Sequence, residues 1–266
     1  MNSHLNSKEI RKLSLEMVHN SNASHIGSAL SMVDILAVLY NNILNYDSNN
    51  PNWEERDKLI LSKGHSCVSL YAVLGLKNFF DIELLSTYGK NGSDFMNHIS
   101  HKVPGVEFST GSLGHGLPYA TGIALGHKLK GLESKVYVIL GDGELAEGSN
   151  WEALLFASHH KLNNLVVIID NNNLQSLTTV DKTLNLEPYK NKFESFGCKV
   201  VKIDGHDHSQ LIDVLSNNNS VSKPLAIIAK TIKGKGVSFM ENQVKWHYKS
   251  PNTEELSIAM KEIDNA

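Results

Sequence analysis

The sequence predicts an α/β fold: a doubly wound, mainly parallel sheet with helices on both faces. Short apolar runs rich in β-branched residues alternate with longer stretches of helical periodicity, which is the pattern of parallel strands joined by helices. Residues 135–140 (KVYVIL) and 164–170 (NLVVIID) are the clearest buried strands. No linker, internal repeat or low-complexity segment interrupts this pattern, so we expect residues 1–266 to form a single domain.

The apolar periodicity of the first third of the chain predicts mostly helices. Residues 7–20 carry a helical apolar stripe with Ser7 as its N-cap, and Ser31 and Asp34 are spaced as a capping box for the next helix. His25 lies in the polar connection between these two helices. The elements that follow are a strand at 58–61, a helix at 67–74 and a short helix at 81–88.

A long polar loop at 92–116 separates this part from the central strands. Loops of this length in compact domains are usually functional or disordered, and this one is rich in glycine and histidine. A helix follows it and ends at Gly131. Beyond the central unit we expect a loop at 174–187, helices at 188–196 and 209–215, strands at 199–203 and 225–230, and a terminal helix that begins near Asn252 and Glu255.

The central unit places polar residues after two neighbouring strands. Gly141-Asp142-Gly143 follows the first strand, a helix covers about 147–160, and Asn171-Asn172-Asn173 ends the second strand. Ligands of open α/β sheets bind outside the carboxyl ends of the strands, and we expect a helix start beside Gly143 to offer N–H groups to a phosphate. A carboxylate and an amide oxygen suit Mg²⁺ or Ca²⁺. The sequence therefore predicts a magnesium ion that bridges to a diphosphate.

The composition excludes several classes of protein. Lys and Arg together number 25 against 28 Asp and Glu, which leaves no basic surplus for nucleic acid. No apolar run approaches the roughly 18 residues of a membrane span, and no signal pattern opens the chain. Two cysteines are too few for a disulfide framework, which favours a cytoplasmic protein. The chain has only two arginines, Arg11 and Arg56, so lysines, backbone amides, a metal or a partner must hold any phosphate.

Four of the thirteen histidines stand in loops beside glycine or small residues: His25, His65, His98 and His247. Histidine donates to phosphate oxygens and moves protons near neutral pH. Each of the four, taken singly, is more often structural than catalytic. His206 and His208 flank Asp207 in a pattern that imitates a metal site, but no third partner accompanies them, and we expect no metal there.

Together these motifs identify the chain as resembling the transketolases. Gly141-Asp142-Gly143 with Asn172 thirty positions beyond Asp142 is similar to the thiamin diphosphate signature. The segments 23–27 (ASHIG), 58–65 (KLILSKGH) and 109–116 (STGSLGHG) resemble family motifs in order and spacing, as do His98 before 104–107 (PGVE) and His247. Ile26 stands where the family often has proline, and His115 where it often has glutamine.

The resemblance implies a thiamin diphosphate-binding fold and assigns roles to individual residues. Mg²⁺, with Ca²⁺ or Mn²⁺ as possible substitutes, would be held by Asp142, Asn172 and the Leu174 carbonyl. Catalytic roles fall to His25, His98 and His247. The cofactor-binding residues implied are His65, Gly111, Ser112, Leu113, Gly141, Asp142, Gly143, Glu144, Asn172 and His247.

The resemblance also implies a partner. A full transketolase has a pyrimidine-binding domain with a catalytic glutamate and a C-terminal domain, and the motifs of this chain match neither. We therefore expect a separate C-terminal subunit, an α2β2 heterotetramer, and activity only in the complex. The implied reaction is transfer of a two-carbon ketol unit from a ketose to an aldose, with sugar phosphates as in pentose phosphate metabolism.

Other readings remain open from the sequence. The chain could be a subunit of a different thiamin diphosphate enzyme, either similar to 1-deoxyxylulose-5-phosphate synthase or to the α-subunit of a 2-oxo acid dehydrogenase. His65, His98 and His247 favour a transketolase over the dehydrogenase. The alternative from another class is a non-catalytic cofactor-binding or regulatory subunit.

Overall fold

The computed structural model describes residues 5–217 and 222–265, so residues 1–4, 218–221 and 266 of the predicted single domain lie outside it. Within the described ranges five strands form one sheet, in the order β1-β2-β3-β5-β4, and every neighbouring pair is parallel. The strands are β1 (Lys58–Leu61), β2 (Val136–Gly141), β3 (Leu165–Asn171), β4 (Lys199–Asp204) and β5 (Leu225–Lys230). The prediction of a doubly wound parallel sheet is confirmed.

The helices cover both faces of this sheet. They are α1 (Ser7–Ser21), α2 (Ile26–Leu30), α3 (Val33–Val38), α4 (Cys67–Leu76), α5 (Gly116–Lys130), α6 (Gly148–His159), α7 (Val180–Thr183), α8 (Tyr189–Ser195), α9 (His208–Ser216) and α10 (Thr253–Asn265). Short 3₁₀ turns occupy Gly64–Ser66, Ile82–Thr87, Gly143–Ala146 and Val244–His247, and a π-helical turn at Leu39–Ile43 extends α3. None of the described helices has the length and apolar character needed to cross a membrane.

Two hydrophobic cores lie on opposite faces of the sheet, because successive residues of a strand point in opposite directions. In β3, Val166 and Ile168 join the core built with α1, α3, α4, α9 and α10. Leu165, Val167 and Ile169 join the core built with α5, α6 and α8. All seven residues of β3 are buried, as expected of a central parallel strand covered on both faces.

Three local predictions about the helices are wrong, and two of them concern α1 and α6. The side chain of Asn6, not Ser7, accepts the capping hydrogen bond of α1, from the Lys8 N–H at 2.9 Å. The helical periodicity predicts that Leu155 of α6 faces the core, yet it is 58% exposed. A helix of mixed periodicity does not reveal which of two adjacent leucines faces the sheet.

The third is the predicted capping box at Ser31 and Asp34. Ser31 ends α2, and its hydroxyl donates to the Asp170 carboxylate at 2.5 Å and lies 2.9 Å from the Ser28 carbonyl oxygen. Asp34 is buried within α3, where it accepts a hydrogen bond from Arg11 at 2.6 Å. Both side chains serve long-range contacts, which a spacing rule for helix ends does not include.

The carboxyl ends of four strands place polar residues along one edge of the sheet. Ser62, Asp142, Asn172 and Thr231 follow the ends of β1, β2, β3 and β5, and all four are buried. Such an edge is the expected ligand site of an open parallel sheet.

Candidate active site

A cavity of about 210 Å³ opens at this edge of the sheet. It is lined by His25, Ser28, Lys63, His65, His98, Gly111, Leu113, Gly141, Asp142, Gly143, Glu144, Asn172, Leu174, Gln175, Ser176 and His247. Distant stretches of the chain thus meet in one place, and they include every residue that the sequence assigned to the site except Ser112. Ser112 lies between two lining residues of the glycine-rich loop but is not itself part of the lining.

The turns after β2 and β3 are tied together by Asp142. Its carboxylate accepts hydrogen bonds from the Gly143 N–H at 2.8 Å and the Asn173 N–H at 2.5 Å. The amide oxygen of Asn172 accepts from the Leu174 N–H at 3.1 Å. The predicted helix at about 147–160 is confirmed by α6 (Gly148–His159), whereas the N–H groups beside Gly143 belong to a separate 3₁₀ turn at Gly143–Ala146 and not to the start of that helix. The N–H groups near the turn therefore belong to a single tight turn.

Asp142 carries a charge that the protein alone does not balance well. The residue is only 2% exposed. Burial raises the pKa of Asp142 to about 7, and repulsion from Asp170 adds to the effect. A divalent cation at this carboxylate would offset both contributions.

The donor set around Asp142 fits a magnesium ion. A carboxylate, the Asn172 amide and the Leu174 carbonyl are hard oxygen donors, and Mg²⁺ completes its six positions with water and phosphate oxygens. The described residues contain no cluster of three His, Cys, Asp or Glu side chains that could hold a metal. A magnesium site of this kind needs only one such side chain, so the two observations agree.

Glu144 supports the neighbouring loops. Its carboxylate accepts hydrogen bonds from the Ser62 hydroxyl, from the Gly114 N–H at 2.9 Å and from the Gly141 N–H at 3.2 Å. The side chain is buried and joins the ends of β1 and β2 to the glycine-rich loop at 109–116. These contacts give Glu144 a positioning role at the cavity wall.

Gly64 lets two of the predicted motifs approach each other closely. A Cβ atom at position 64 would lie 2.3 Å from the carbonyl oxygen of Thr110. The Thr110 hydroxyl in turn donates to the Leu61 carbonyl at 2.6 Å. The segment after β1 and the loop at 109–116 are therefore packed backbone against backbone, which a larger residue at position 64 would prevent.

The four loop histidines form one cluster. The His25 ring lies 5.2 Å from His65, 5.6 Å from His98 and 5.0 Å from His247, measured between ring centroids. His25 has a left-handed backbone with φ of 75°, and its N–H donates to the His247 carbonyl at 2.8 Å. A non-glycine residue held in this region is a common feature of functional sites.

Burial keeps these histidines neutral. Together with the nearby His98, Lys233 and Lys63, it lowers the pKa of His25 to about 4. It lowers the pKa of His247 to about 3, again with help from Lys233 and His25. Burial also lowers the pKa of His98, and that of His65 falls well below its ordinary value. The cluster therefore presents neutral imidazoles at pH 7 in the protein without ligands.

Two buried lysines belong to the site, and the sequence patterns do not predict them. Lys63 is 1% exposed, and its ammonium donates to the Ser28 carbonyl at 3.0 Å. Lys233 is also 1% exposed, and its ammonium contacts the Gln175 carbonyl at 3.0 Å and the His247 ring at 3.1 Å. Both follow strand ends, as Asp142 and Asn172 do, and this rule would have indicated them.

Asp170 at the end of β3 joins Lys63 to the surrounding strands and helices. Its fully buried carboxylate accepts hydrogen bonds from Lys63, from the Thr231 hydroxyl and from Ser31. Burial would raise the pKa of Asp170, but the Lys63 ammonium and these hydrogen bonds hold it below its ordinary value. The sequence indicates only that Asp170 ends a strand, since it shows no partner for a buried carboxylate.

The two arginines and the other histidine pair lie elsewhere. Arg11 pairs with Asp34 at 2.6 Å and Arg56 with Glu107 at 2.5 Å, and neither arginine lines the cavity. His206 and His208 contact the same Asp34 carboxylate, at 2.8 and 3.3 Å. These side chains are used in contacts between packed elements.

Comparisons with known proteins agree with this geometry. Residues 3–263 match the model of the family described as "Transketolase, thiamine diphosphate binding domain". An apulose-4-phosphate transketolase subunit from Actinobacillus succinogenes is 42% identical over 258 residues, which are 96% of this chain and 94% of that protein. The 6-deoxy-6-sulfo-D-fructose transketolase subunit of a Clostridium species is 38% identical over 96% of this chain and 94% of its own length.

Solved structures give the same result. The transketolase of Campylobacter jejuni superposes with a TM-score of 0.91 at 34% identity and covers 97% of this chain. The match spans only 42% of that transketolase chain. Human transketolase is 37% identical over 90% of this chain and 38% of its own length. The chain therefore belongs to the transketolase family, in which it corresponds to the N-terminal, thiamin diphosphate-binding subunit.

Proposed function

We propose that this chain and a separate pyrimidine-binding subunit together transfer a two-carbon ketol unit from a ketose to an aldose. The observation that carries the proposal is one cavity in which Asp142 and Asn172 face the cluster of His25, His65, His98 and His247. One side of the cavity suits a metal and a diphosphate. The other offers imidazoles to sugar hydroxyls and protons.

The residues divide into those that hold the cofactor and those that act on the sugar. Asp142, Asn172 and the Leu174 carbonyl would hold Mg²⁺, with Ca²⁺ or Mn²⁺ as substitutes. His65, with the turn at 141–143, would contact the diphosphate, and the loop at 111–113 would line the ring side of the cofactor. Thiamin diphosphate, when bound, supplies the carbon nucleophile that this class of reaction requires.

Neutral histidines suit the proton transfers of ketol transfer. A neutral imidazole has one nitrogen that accepts a proton and one N–H that donates a hydrogen bond. His25, His98 and His247 can therefore orient hydroxyl groups and take protons from them. Burial and the nearby Lys63 and Lys233 lower the pKa of His25, which keeps this group uncharged before the substrate arrives.

The partner completes the site. The chain spans about two fifths of the solved transketolase with which it superposes, and several of its relatives are named as single subunits of a transketolase. In the family, a second domain supplies the glutamate that acts on the aminopyrimidine ring. We propose a C-terminal subunit in this role, in an α2β2 assembly. A cytoplasmic location agrees with the two buried, unpaired cysteines, Cys67 and Cys198.

The names of the relatives point to sugars of more than one kind. Two relatives that are 42% and 38% identical to this chain are named for different sugars, apulose 4-phosphate and 6-deoxy-6-sulfo-D-fructose. We propose sugar phosphates, including those of the pentose phosphate pathway, as the class to test first.

The test is reconstitution. The chain is purified alone and together with the product of the neighbouring gene, and ketol transfer is measured with thiamin diphosphate and Mg²⁺ over a panel of ketose and aldose pairs. We expect no transfer by the chain alone and transfer by the pair, with two copies of each subunit found by light scattering. Full turnover by the chain alone would refute the need for a partner.

A further inference from the structure

An exposed tyrosine stands beside the histidine cluster. Tyr248 follows His247 directly, and its ring lies 4.9 Å from the His247 ring and 6.3 Å from the His25 ring. The side chain is 57% exposed. Tyr248 is not one of the residues that line the cavity, but its ring contacts two that do, both of them histidines assigned to the sugar.

The backbone of Tyr248 is fixed by both loops that carry these histidines. Its carbonyl accepts a hydrogen bond from the Ser24 hydroxyl at 3.0 Å, and its N–H donates to the Lys245 carbonyl at 3.3 Å. The ring is thus held at a defined place while most of its surface stays open to solvent. Among the exposed aromatic residues that the structure describes (Tyr119, Phe156 and Tyr248), Tyr248 alone has ring contacts with two cavity histidines.

The charged side chains near Tyr248 are engaged elsewhere. The Lys249 ammonium pairs with Glu255 and lies 4.7 Å above the Trp246 ring, and the Lys245 ammonium lies 5.5 Å from the same ring. The buried Lys233 ammonium is held between the Gln175 carbonyl and the His247 ring. Arg11 and Arg56 are held in buried ion pairs away from the cavity. This part of the cavity mouth therefore offers an aromatic ring and a phenol hydroxyl, which suit carbon and hydroxyl groups better than a phosphate.

Resting on the proposed function, we infer that Tyr248 is a specificity-determining residue that packs against the carbon chain of the sugar. A tyrosine gives a large, rigid contact surface at a low cost in conformational entropy. Its ring can cover the C–H face of an open-chain sugar while the hydroxyl reaches a sugar oxygen. The contact makes affinity depend on how the carbons and hydroxyl groups of the sugar are arranged. It does not depend on whether the sugar carries a phosphate.

Steady-state kinetics of the reconstituted pair test this inference, with D-glyceraldehyde and its 3-phosphate as acceptors. For Tyr248→Ala we expect KM to rise about 3- to 10-fold for both acceptors, with kcat changed less than about twofold. Tyr248→Phe keeps the ring and should stay within about twofold of the wild-type KM, since the ring supplies most of the contact. Leu129→Ala removes an exposed side chain on α5, outside the cavity lining, and serves as the matched control.

The outcomes separate the inference from the proposed function. Transfer by the wild-type pair with an unchanged KM in Tyr248→Ala refutes the inference alone. A KM for Tyr248→Phe as high as that for Tyr248→Ala, a loss confined to the phosphorylated acceptor, or a parallel loss of thiamin diphosphate affinity in calorimetry also refutes it. Absence of transfer by the wild-type pair with every sugar refutes the proposed function and this inference with it.

Discussion

Two groups in this protein combine a buried aspartate with histidines, and their surroundings differ. Asp34 in α3 contacts the side chains of Arg11, His206 and His208, three nitrogen-bearing groups that hydrogen-bond its carboxylate. Asp142 after β2 lies in a cavity with four histidines, and its hydrogen bonds come from backbone N–H groups. The same residue types thus occur in both places, and only one of the two lines the cavity at the carboxyl ends of the strands.

The electrostatics of the two aspartates are opposite. Burial alone would raise the pKa of Asp34, but hydrogen bonds from His206 and His208 and the Arg11 guanidinium hold it well below its ordinary value. Burial, together with repulsion from Asp170, raises the pKa of Asp142 to about 7. Asp34 is therefore balanced within the fold, whereas Asp142 is not.

This difference separates a structural group from a binding group. A balanced carboxylate stabilises the contact between α1, α3 and the start of α9. An unbalanced one costs stability in the protein without ligands, and that cost is offset when a cation binds. Replacing Asp142 and replacing Asp34 should therefore have different effects on stability as well as on activity.

The largest effect should come from replacing the two aspartates. We expect Asp142→Asn to lower Mg²⁺-dependent affinity for thiamin diphosphate by at least about 100-fold, because it removes the charged metal ligand. Relative to wild type, the same variant should gain unfolding temperature as the pH of the metal-free chain rises from about 4 to about 8, since the carboxylate penalty develops between the ordinary pKa of 3.8 and the folded pKa of about 7. Calorimetry with the cofactor and thermal unfolding without it measure the two effects.

Asp34→Asn is the matched control and should do the reverse. It leaves the buried Arg11 without its carboxylate, a change that typically costs about 3–5 kcal/mol. Cofactor affinity of the folded fraction should stay within about twofold of wild type, since Asp34 is not part of the cavity lining. If Asp142→Asn gained no stability relative to wild type between about pH 4 and about pH 8 and kept its cofactor affinity, Asp142 would not be the unbalanced metal-binding carboxylate.

Replacing a cavity histidine should lower kcat, whereas replacing a histidine that contacts Asp34 should not. His98→Ala and His247→Ala should each lower kcat of the reconstituted pair by about 10²- to 10⁴-fold, the range for a removed acid–base group. Thiamin diphosphate affinity should change less than kcat. His208→Ala should keep kcat within about twofold, because its ring contacts Asp34 outside the cavity. Wild-type rates in both cavity variants, with every sugar tested, would remove the histidine cluster from the mechanism.

The smallest effect concerns the pH dependence of stability, which should have opposite signs for His208 beside Asp34 and for His247 in the cavity. The hydrogen bond to Asp34 raises the pKa of His208, so its stabilisation is complete below the ordinary value of 6.5 and is lost as pH rises through the raised pKa. Burial lowers the pKa of His247 to about 3, so it destabilises the fold increasingly as pH falls below 6.5. Relative to wild type, His208→Gln should lose more stability at about pH 5 than at about pH 8, and His247→Gln should gain at the lower pH.

Thermal unfolding of the metal-free chain at the two pH values measures this difference. The wild type supplies the reference at each pH, because other groups titrate in the same range. Parallel pH dependences in the two variants would contradict the assignment of one histidine to an ion pair and the other to a desolvated cavity.

Local sequence patterns determined the strands, most helices and the turn residues of the site. A buried parallel strand needs a continuous apolar run, and the turn after it needs polar residues, so β2, β3, Asp142 and Asn172 could be placed from the sequence. The spacing of Asn252 and Glu255 predicts the start of the terminal helix in the same local way. In the structure these two residues exchange the hydrogen bonds of a capping box. These features depend on neighbours within a few positions.

Tertiary structure alone decided the partners of the buried charges. The Asp170 carboxylate accepts a hydrogen bond from Lys63, which lies 107 residues earlier in the chain. Arg11 pairs with Asp34, although the helix-capping pattern predicts a local role for that aspartate. Tertiary structure also determined that His25 lies among His65, His98 and His247, and that burial keeps them neutral. The physical reason is that desolvation and Coulomb energies depend on distances between atoms in space, whereas helix and strand preferences depend on residues adjacent in the chain.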